Sequence, residues 1–358
     1  MNDQADNDSG TGGWDAINAS LAQAYPGQEP RHAAPVLPAS LGGGDPLDGI
    51  SAYFSTQGWP HWHYVTYGLS ELYGKESEDL DHSGYGLELT FRLRALPGQT
   101  EPPSWAFDFL QNLARYVFRT GNVFQDGHWM TANGPIALDT PTRICSMAFA
   151  SDPQLPAIDS VNGRVEFVQV VGLTLEEERA ANQWAPRKLL DALLPHMPLW
   201  ITDLERESLL EAPDVAEAVA AGLARDGSSS EALFTDVLQV AEMAPSGAAV
   251  GPSFKVTLGA RQVASLLTLL PLRLPFGQFF VLSGSDWQLF FEPAEADSVV
   301  LEDTMLVVRM CPATLATFTS AMAPREGSYQ VAGLAQLTWS VQKTLIRDAS
   351  GAVVQTIG

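Results

Sequence analysis

The chain has 358 residues, of which 46% are hydrophobic and 17% charged, so it can bury a sizeable core and is not globally disordered. It carries 42 acidic and 20 basic residues, a formal charge of −22, which excludes a general nucleic-acid binder and disfavours an anionic membrane surface. The length predicts two domains, or three.

The N-terminal part begins with a polar segment and continues with regular patterns. Residues 1–13 offer almost nothing to bury and predict a disordered tail without the basic and apolar regions of a signal peptide. Apolar residues at helical spacing predict a helix over 14–25, and aromatic and β-branched residues predict a strand over 62–67. Strict alternation over 87–93 predicts a strand with one buried face.

Two later helices carry boundary signals. Ser104 is placed to cap a helix that Gly121 can end in a left-handed turn. Thr174 and Glu177 form a capping-box pair at the start of a helix that Pro186 interrupts. The other predicted elements are strands over 164–171, 199–202, 254–258, 278–282, 287–291 and 305–310, and a helix from Pro213 to about 226.

The mixture of strands and helices predicts an α/β or α+β fold in two domains. We expect a disordered tail over 1–13, an N-terminal domain over 14–226, a linker over 227–250 and a C-terminal domain over 251–358, because Gly227 to Ser230 resembles a flexible connection. Residues 1–226 hold a net charge of −18 and residues 227–358 hold −4. The acidity therefore belongs to the first domain and its tail.

A search for catalytic or metal-binding patterns finds one weak candidate. His61 and His63 point to the same side of a strand, as two metal ligands would, but the sequence nearby lacks a suitably spaced carboxylate, and hydrogen-bonding histidines in a packed region explain them as well. No phosphate-binding, nucleophile-elbow or zinc-protease motif is present. We therefore expect no enzymatic activity and no cofactor, with a metal-dependent enzyme at these histidines as the alternative.

Two cysteines allow at most one disulfide, and no apolar stretch is long enough to span a bilayer, so we expect a cytoplasmic protein.

Tyr116 lies on a predicted helix with a core-facing side. Its hydroxyl either forms a polar tip at the surface or is a core group with a hydrogen-bond partner. The oligomeric state is not predicted.

Several motifs in order resemble the Suppressor of fused family. The resemblance covers about residues 14–230, and the C-terminal half is consistent with it. The matching segments are 41–48, 61–74, 84–93, 113–118, 183–184, 200–203 and 226–228.

This resemblance implies a two-lobed mixed α/β protein without enzymatic activity. Animal members hold Gli-type transcription factors by gripping an extended peptide, which adds as a strand in the cleft between the lobes. Tyr116 matches a tyrosine of that binding region, and Asp126, His128 and Asp152 align with its neighbours. The chain departs from the animal pattern at Ser40 and Ser151.

Bacterial members resemble immunity proteins that neutralise toxins. An acidic chain suits a basic toxin as its protein partner, because charge complementarity accelerates association. We therefore expect a non-catalytic binding module, an immunity or inhibitor protein that grips an extended peptide of a protein partner in the cleft between its lobes. The alternative is regulation of a transcription factor as in animal members.

Overall fold

The computed structural model describes residues 10–36, 43–138, 140–243, 252–347 and 351–358. Ser40 and residues 1–9 of the predicted tail lie outside these ranges. The chain divides into two compact units. Unit 1 comprises 1–181 and 186–218, and unit 2 comprises 182–185 and 219–358.

Seven helices are described: α1 (Gly12–Ala24), α2 (Trp105–Thr120), α3 (Leu175–Gln183), α4 (Pro186–Leu193), α5 (Pro213–Asp226), α6 (Ala260–Leu269) and α7 (Pro312–Ala321). The strands described in unit 1 are β1 (Arg31–Ala33), β2 (Gly49–Ser55), β3 (His61–Tyr67), β4 (His82–Arg94), β5 (Trp129–Thr131), β6 (Ile144–Ser151), β7 (Ile158–Ser160) and β8 (Gly163–Thr174). Those of unit 2 are β9 (Ala232–Phe234), β10 (Leu238–Met243), β11 (Ser253–Gly259), β12 (Phe280–Ser283), β13 (Gln288–Pro293), β14 (Ser298–Glu302), β15 (Met305–Met310), β16 (Gly327–Tyr329), β17 (Leu337–Gln342), β18 (Thr344–Arg347) and β19 (Val353–Ile357). Among the described helices, none is long and apolar enough to cross a membrane.

In the described residues, unit 1 is built on one eight-stranded sheet. Its strand order is β1-β2-β3-β4-β8-β6-β5, with β7 also paired to β8. The pairing of β4 with β8 is parallel, and the other described pairs are antiparallel. The buried apolar residues of helix α2 belong to one apolar cluster, which includes Trp62 and Tyr64. Ile17 and Leu21 of α1 belong to a second apolar cluster, which includes Val65 and Tyr67.

Strand β4 is buried on both faces, so the prediction of a single buried face is wrong. Leu89 and Phe91 are buried in the apolar cluster beneath α2, as expected. Glu88, Thr90 and Arg92 on the alternate positions are also fully buried. Polar alternation normally marks a solvent face, but here each polar group has buried hydrogen-bond partners from other elements.

The described residues of unit 2 form three sheets and one large apolar core. A four-stranded sheet has the order β10-β11-β17-β16, a five-stranded sheet has the order β14-β15-β13-β12-β9, and β18 pairs with β19. The core combines residues of α6 and α7 with both larger sheets, including Phe291, Phe318 and Trp339. The mixed sheets and helices confirm the predicted mixed α/β class.

Several predicted elements are found close to their expected bounds. Helices α1, α2 and α5 and strands β3, β8, β11 and β15 lie where the patterns place them. Glu177 accepts a hydrogen bond from the Thr174 amide at 2.9 Å, and its own amide donates to the Thr174 hydroxyl at 3.3 Å, which confirms the capping box. Gly121 ends α2 with φ 74°, but Ser104 already has helical angles and makes no side-chain cap.

Two other segments differ from the prediction. Residues 199–202 form the end of a 3-10 helix (Pro198–Trp200) and a single parallel bridge from Thr202 to Leu93, rather than a strand. Strands β9 and β10 lie inside the predicted linker 227–250, of which 244–250 are outside the described residues. The amide of Ser228 donates to the Leu272 carbonyl at 2.7 Å, so backbone hydrogen bonds hold a segment whose composition suggests flexibility.

Candidate functional site

Tyr116 lies on the last turns of α2 with its ring packed and its hydroxyl near the surface. The ring stacks on Phe124 at a centroid distance of 5.6 Å, and Phe124 stacks on Phe149 of β6 at 4.1 Å. The Tyr116 hydroxyl accepts a hydrogen bond from the Asn122 side-chain amide at 3.1 Å. Both interpretations of this residue are therefore partly right, because the side chain is half-buried and its polar end has a partner.

Asp126 and His128 occupy the exposed turn that leads from α2 into β5. The carboxylate of Asp126 accepts hydrogen bonds from Arg187 at 3.1 Å and from the Ser151 hydroxyl at 3.3 Å. The carbonyl of His128 accepts from the Phe149 amide at 2.9 Å, which fixes the turn against β6. The structure thus places Asp126, His128 and Ser151 together at one end of β6.

Asp152 is the next residue after Ser151, but its side chain is fully buried. Both its oxygens bind the guanidinium of Arg92, at 2.6 and 2.9 Å, and Thr90 donates its hydroxyl to one of them at 2.6 Å. The amides of Gln154 and Leu155 donate to the other oxygen. These contacts make Asp152 a core residue, so the direct partner contact predicted from the sequence is not available to it.

His63 extends this buried ion pair towards α1. Its Nε2 lies 3.2 Å from Asp152, and its Nδ1 lies 2.6 Å from the hydroxyl of Tyr25. Burial, together with the positive charge of Arg92, lowers the pKa of His63 to about 4. A neutral ring that donates from Nε2 to the carboxylate and accepts from Tyr25 at Nδ1 satisfies both contacts.

The pKa of Asp152 is set by two opposing effects. Burial alone would raise it, but the adjacent Arg92 charge and the hydrogen bond from His63 hold the pKa of Asp152 well below its usual range. Arg92 also donates to Gln154 at 2.9 Å and to Gln169. Asp152, Arg92 and His63 therefore form a fully buried, charged cluster between the strands and the 152–155 loop.

The two histidines considered as metal ligands have other partners. His61 is buried, with its Nδ1 2.7 Å from the carbonyl of Trp59, and burial lowers its pKa to about 4. His63 bridges Tyr25 and Asp152, as described above. Within the described ranges, no group of three or more His, Cys, Asp or Glu side chains is arranged to hold a metal ion.

Strand β5 follows this turn directly and is one of the two edge strands of the unit 1 sheet, with β1 at the other edge. It pairs with β6 through the Trp129–Ala148, Met130–Met147 and Thr131–Ser146 positions. In the part of the chain that the structure describes, its other edge has no strand neighbour. An edge strand offers free backbone donors and acceptors to an added strand.

Arg187 and Arg92 are the important residues that sequence reasoning missed. Arg187 binds Asp126 and lies over the ring of Trp200 at 4.7 Å, so it ties the exposed turn to the 3-10 helix. It is 61 residues from Asp126, and no local motif links them. One sequence feature could have pointed to Arg92: it is a charged residue within a strand that also carries Leu89, Phe91 and Leu93.

Comparison with known proteins agrees with this architecture. A family model described as Suppressor of fused protein matches residues 43–207. The human Suppressor of fused homolog is 37% identical over 235 residues, which cover 61% of this chain and 48% of the human protein, and the mouse homolog matches to the same extent.

Two solved structures are also similar. The crystal structure of Drosophila Suppressor of fused has a TM-score of 0.78 at 23% identity and covers 92% of this chain and 97% of that one. A chain of the Sufu–Fu complex is 32% identical with a TM-score of 0.55, covering 58% of this chain and 97% of that one.

The fold is thus that of a mixed α/β protein with the architecture of Suppressor of fused. The chain belongs to the Suppressor of fused family. It spans about half the length of the curated relatives it matches.

Proposed function

We propose that this protein is a non-catalytic binding module that takes an extended peptide of a protein partner as an added strand on β5. The observation that carries the proposal is the free edge of β5, which follows directly after the turn containing Asp126 and His128. Main-chain hydrogen bonds to the edge would supply affinity, and side chains around it would supply selectivity.

The family supports protein binding as the general activity. One similar structure is that of a Sufu–Fu complex, in which a family member is bound to another protein. For this chain, the favoured partner is a basic protein such as a toxin that the module neutralises in the cytoplasm. The support for a basic partner is charge, since residues 1–226 have a net charge of −18.

The geometry of Tyr116 suits a contact residue. Its ring is held by Phe124, so little side-chain freedom is lost on binding, and its hydroxyl is accessible enough to bond to Asn122 at the surface. Pre-organised tyrosines are common energetic centres of protein interfaces. Asp126, in the turn that leads into β5, adds a negative charge that Arg187 partly neutralises.

The test uses Tyr116→Ala and Tyr116→Phe. The partner is captured from cells of the source organism, identified by mass spectrometry and purified, and its affinity for each variant is then measured. We expect Tyr116→Ala to weaken binding by about tenfold or more, as for an interface hot spot. Tyr116→Phe keeps the stack on Phe124 and separates the role of the ring from that of the hydroxyl.

The control is Tyr73→Ala, which removes an exposed tyrosine elsewhere in unit 1. We expect this variant to bind as the unmodified protein does, and all variants to unfold cooperatively. Unchanged partner affinity in Tyr116→Ala, together with a large loss of thermal stability, would instead assign Tyr116 to the core and refute the proposed site.

A further inference from the structure

The five-stranded sheet of unit 2 has an exposed edge at β14. This strand, Ser298–Glu302, pairs antiparallel with β15, so that Ser298 lies opposite Arg309 and Glu302 lies opposite Met305. Within the described residues it has no strand neighbour on its other side. Its backbone can therefore accept one further strand, independently of β5 in unit 1.

The side chains of β14 are apolar but incompletely covered. Val299 is partly buried against the unit 2 core. Val300, which points to the opposite face, is 38% exposed, and Leu301 is 37% exposed. Proteins usually protect such an edge with lysine, proline or a bulge, because an apolar free edge recruits other strands. Here none of the five strand residues is a lysine or a proline.

The charge around β14 has a single sign. Between Arg273 and Arg309 the sequence contains no lysine or arginine and six acidic residues, namely Asp286, Glu292, Glu295, Asp297, Glu302 and Asp303. Two of the six have internal roles. Glu292 pairs with Arg309 at 2.8 Å, and Asp297 accepts hydrogen bonds from the Cys311 amide and the Thr314 hydroxyl at the start of α7.

Three of the remaining acids flank the strand itself. Glu295 precedes β14, and Glu302 and Asp303 stand at its other end, all three exposed. Among the described residues, none of the three has an ion-pair partner. An occupant of this edge would therefore meet negative charge at both ends and apolar side chains in the middle.

We infer that β14 is a second docking edge, for an extended segment of a partner protein with apolar residues at its centre and lysine or arginine at both ends. A second copy of this chain is disfavoured as the occupant. Antiparallel pairing of β14 with itself would bring the acidic residues at one end of each strand towards those at the opposite end of the other copy, and parallel pairing would also align like charges. A basic-ended strand satisfies both the edge and its charge.

The test uses a defined peptide, Lys-Lys-Val-Thr-Val-Thr-Val-Lys-Lys, and the same peptide with glutamate in place of each lysine. Binding to the full chain is measured by calorimetry, and the protected amides are mapped by hydrogen exchange. We expect the lysine peptide to bind and to protect residues 298–302, and the glutamate peptide not to bind. Protection at β5 or β9 with none at β14 would overturn the inference.

Variants separate this edge from general attraction to an acidic protein. Glu295→Lys/Glu302→Lys reverses two charges beside β14, and Asp236→Lys/Glu242→Lys makes the same change at other exposed positions of unit 2. We expect the first pair to weaken binding by about tenfold or more and the second to leave it within about twofold. Equal losses in both pairs would show non-specific attraction and contradict the proposed edge.

Backbone pairing is tested on the peptide itself. A strand has two hydrogen-bonding edges, so N-methylation at alternate residues blocks one of them. We expect N-methylation along one edge to abolish binding and along the other to preserve it. If both methylated peptides bind as the parent does, the contact is not strand addition.

If size-exclusion chromatography shows a dimer of the free chain with β14 already protected from exchange, the occupant is a second copy and the inference is wrong.

Discussion

Two aspartates that are neighbours in space have opposite environments. Asp126 accepts a hydrogen bond from the Ser151 hydroxyl, and Asp152 directly follows Ser151 in the chain. The side chain of Asp126 is 39% exposed, whereas that of Asp152 is 0% exposed and binds Arg92, which is also fully buried. Removing the negative charge at these two positions should therefore have very different effects on stability.

We predict that Asp152→Asn lowers the free energy of unfolding by roughly 3–5 kcal/mol, because it leaves the buried Arg92 charge without a counter-ion. The control Asp126→Asn should cost less than about 1 kcal/mol, since exposed ion pairs contribute little. Urea denaturation of both variants measures the difference. If the two variants unfold at the same urea concentration, Asp152 and Arg92 do not form a buried ion pair in solution.

Glu88 is a second buried carboxylate, and among the residues that the structure describes no cation pairs with it. Its oxygens accept hydrogen bonds from the Thr66 and Ser70 hydroxyls, each at 2.6 Å, and from the amides of Gly68 and Ser70, each at 2.9 Å. Burial opposes the charged form more strongly than these four donors favour it, and the pKa of Glu88 is raised to about 7.

A raised pKa in the folded state makes the protonated form of Glu88 a source of stability. That contribution is fully present below the usual pKa of 4.5 and is lost as the pH rises through about 7. The loss amounts to about 3 kcal/mol, at about 1.4 kcal/mol per pKa unit.

We therefore predict that the stability of the unmodified protein relative to Glu88→Gln falls between about pH 5 and about pH 8. Denaturation of both proteins at each pH measures it. Other titrating groups, including His61 and His63, are common to both proteins and largely cancel in the comparison. A relative stability that stays constant or rises with pH would contradict the raised pKa.

Among the secondary-structure elements, the start of α3 shows a local signal that the structure confirms, whereas Ser104 makes no side-chain cap at the start of α2. The capping box of α3 was predicted from Thr174 and Glu177, which are three residues apart, and both of its hydrogen bonds are formed. Glu177 has a further role that spacing does not reveal, because it is fully buried and binds Arg206 at 2.6 Å through each oxygen.

Elements held by distant partners were predicted less well. The segment predicted as a strand over 199–202 has Leu199 and Trp200 at φ 55° and 50°, values that cost free energy in residues with a side chain. The Gln169 amide donates to both of their carbonyls, at 2.9 and 3.1 Å, and Trp200 donates its indole N–H to the Leu190 carbonyl. These tertiary hydrogen bonds offset the strain, and none of them is visible in a short sequence window.

For the whole molecule, the charge of −22 is the feature with the widest consequence. Exposed charges act over about 10 Å at 0.1 M ionic strength, so the field of an acidic surface extends beyond its own contacts. Such a field accelerates encounter with a basic partner more than it slows dissociation. The alternative is that the charge only maintains solubility.

We predict that the association rate constant with the partner falls by about tenfold or more between about 0.05 and about 0.5 M NaCl, while the dissociation rate changes little. Stopped-flow or surface-based kinetics measures both rates with the unmodified chain. An association rate independent of salt would refute electrostatic attraction and leave solubility as the role of the charge.

The sequence by itself determined the family, the mixed α/β class, the acidic character, and four of the seven helices and seven of the nineteen strands that the structure describes, because these depend on local patterns and composition. It also singled out Asp126 and His128, which the structure places in the turn that leads into β5, and Tyr116, which lies on α2 stacked on Phe124. Only the tertiary structure decided that Asp152 is buried while Asp126 is exposed, and that the polar positions of β4 are enclosed. Those outcomes depend on partners such as Arg92 and Arg187, which lie about 60 residues away along the chain and meet the aspartates only when the sheet has formed.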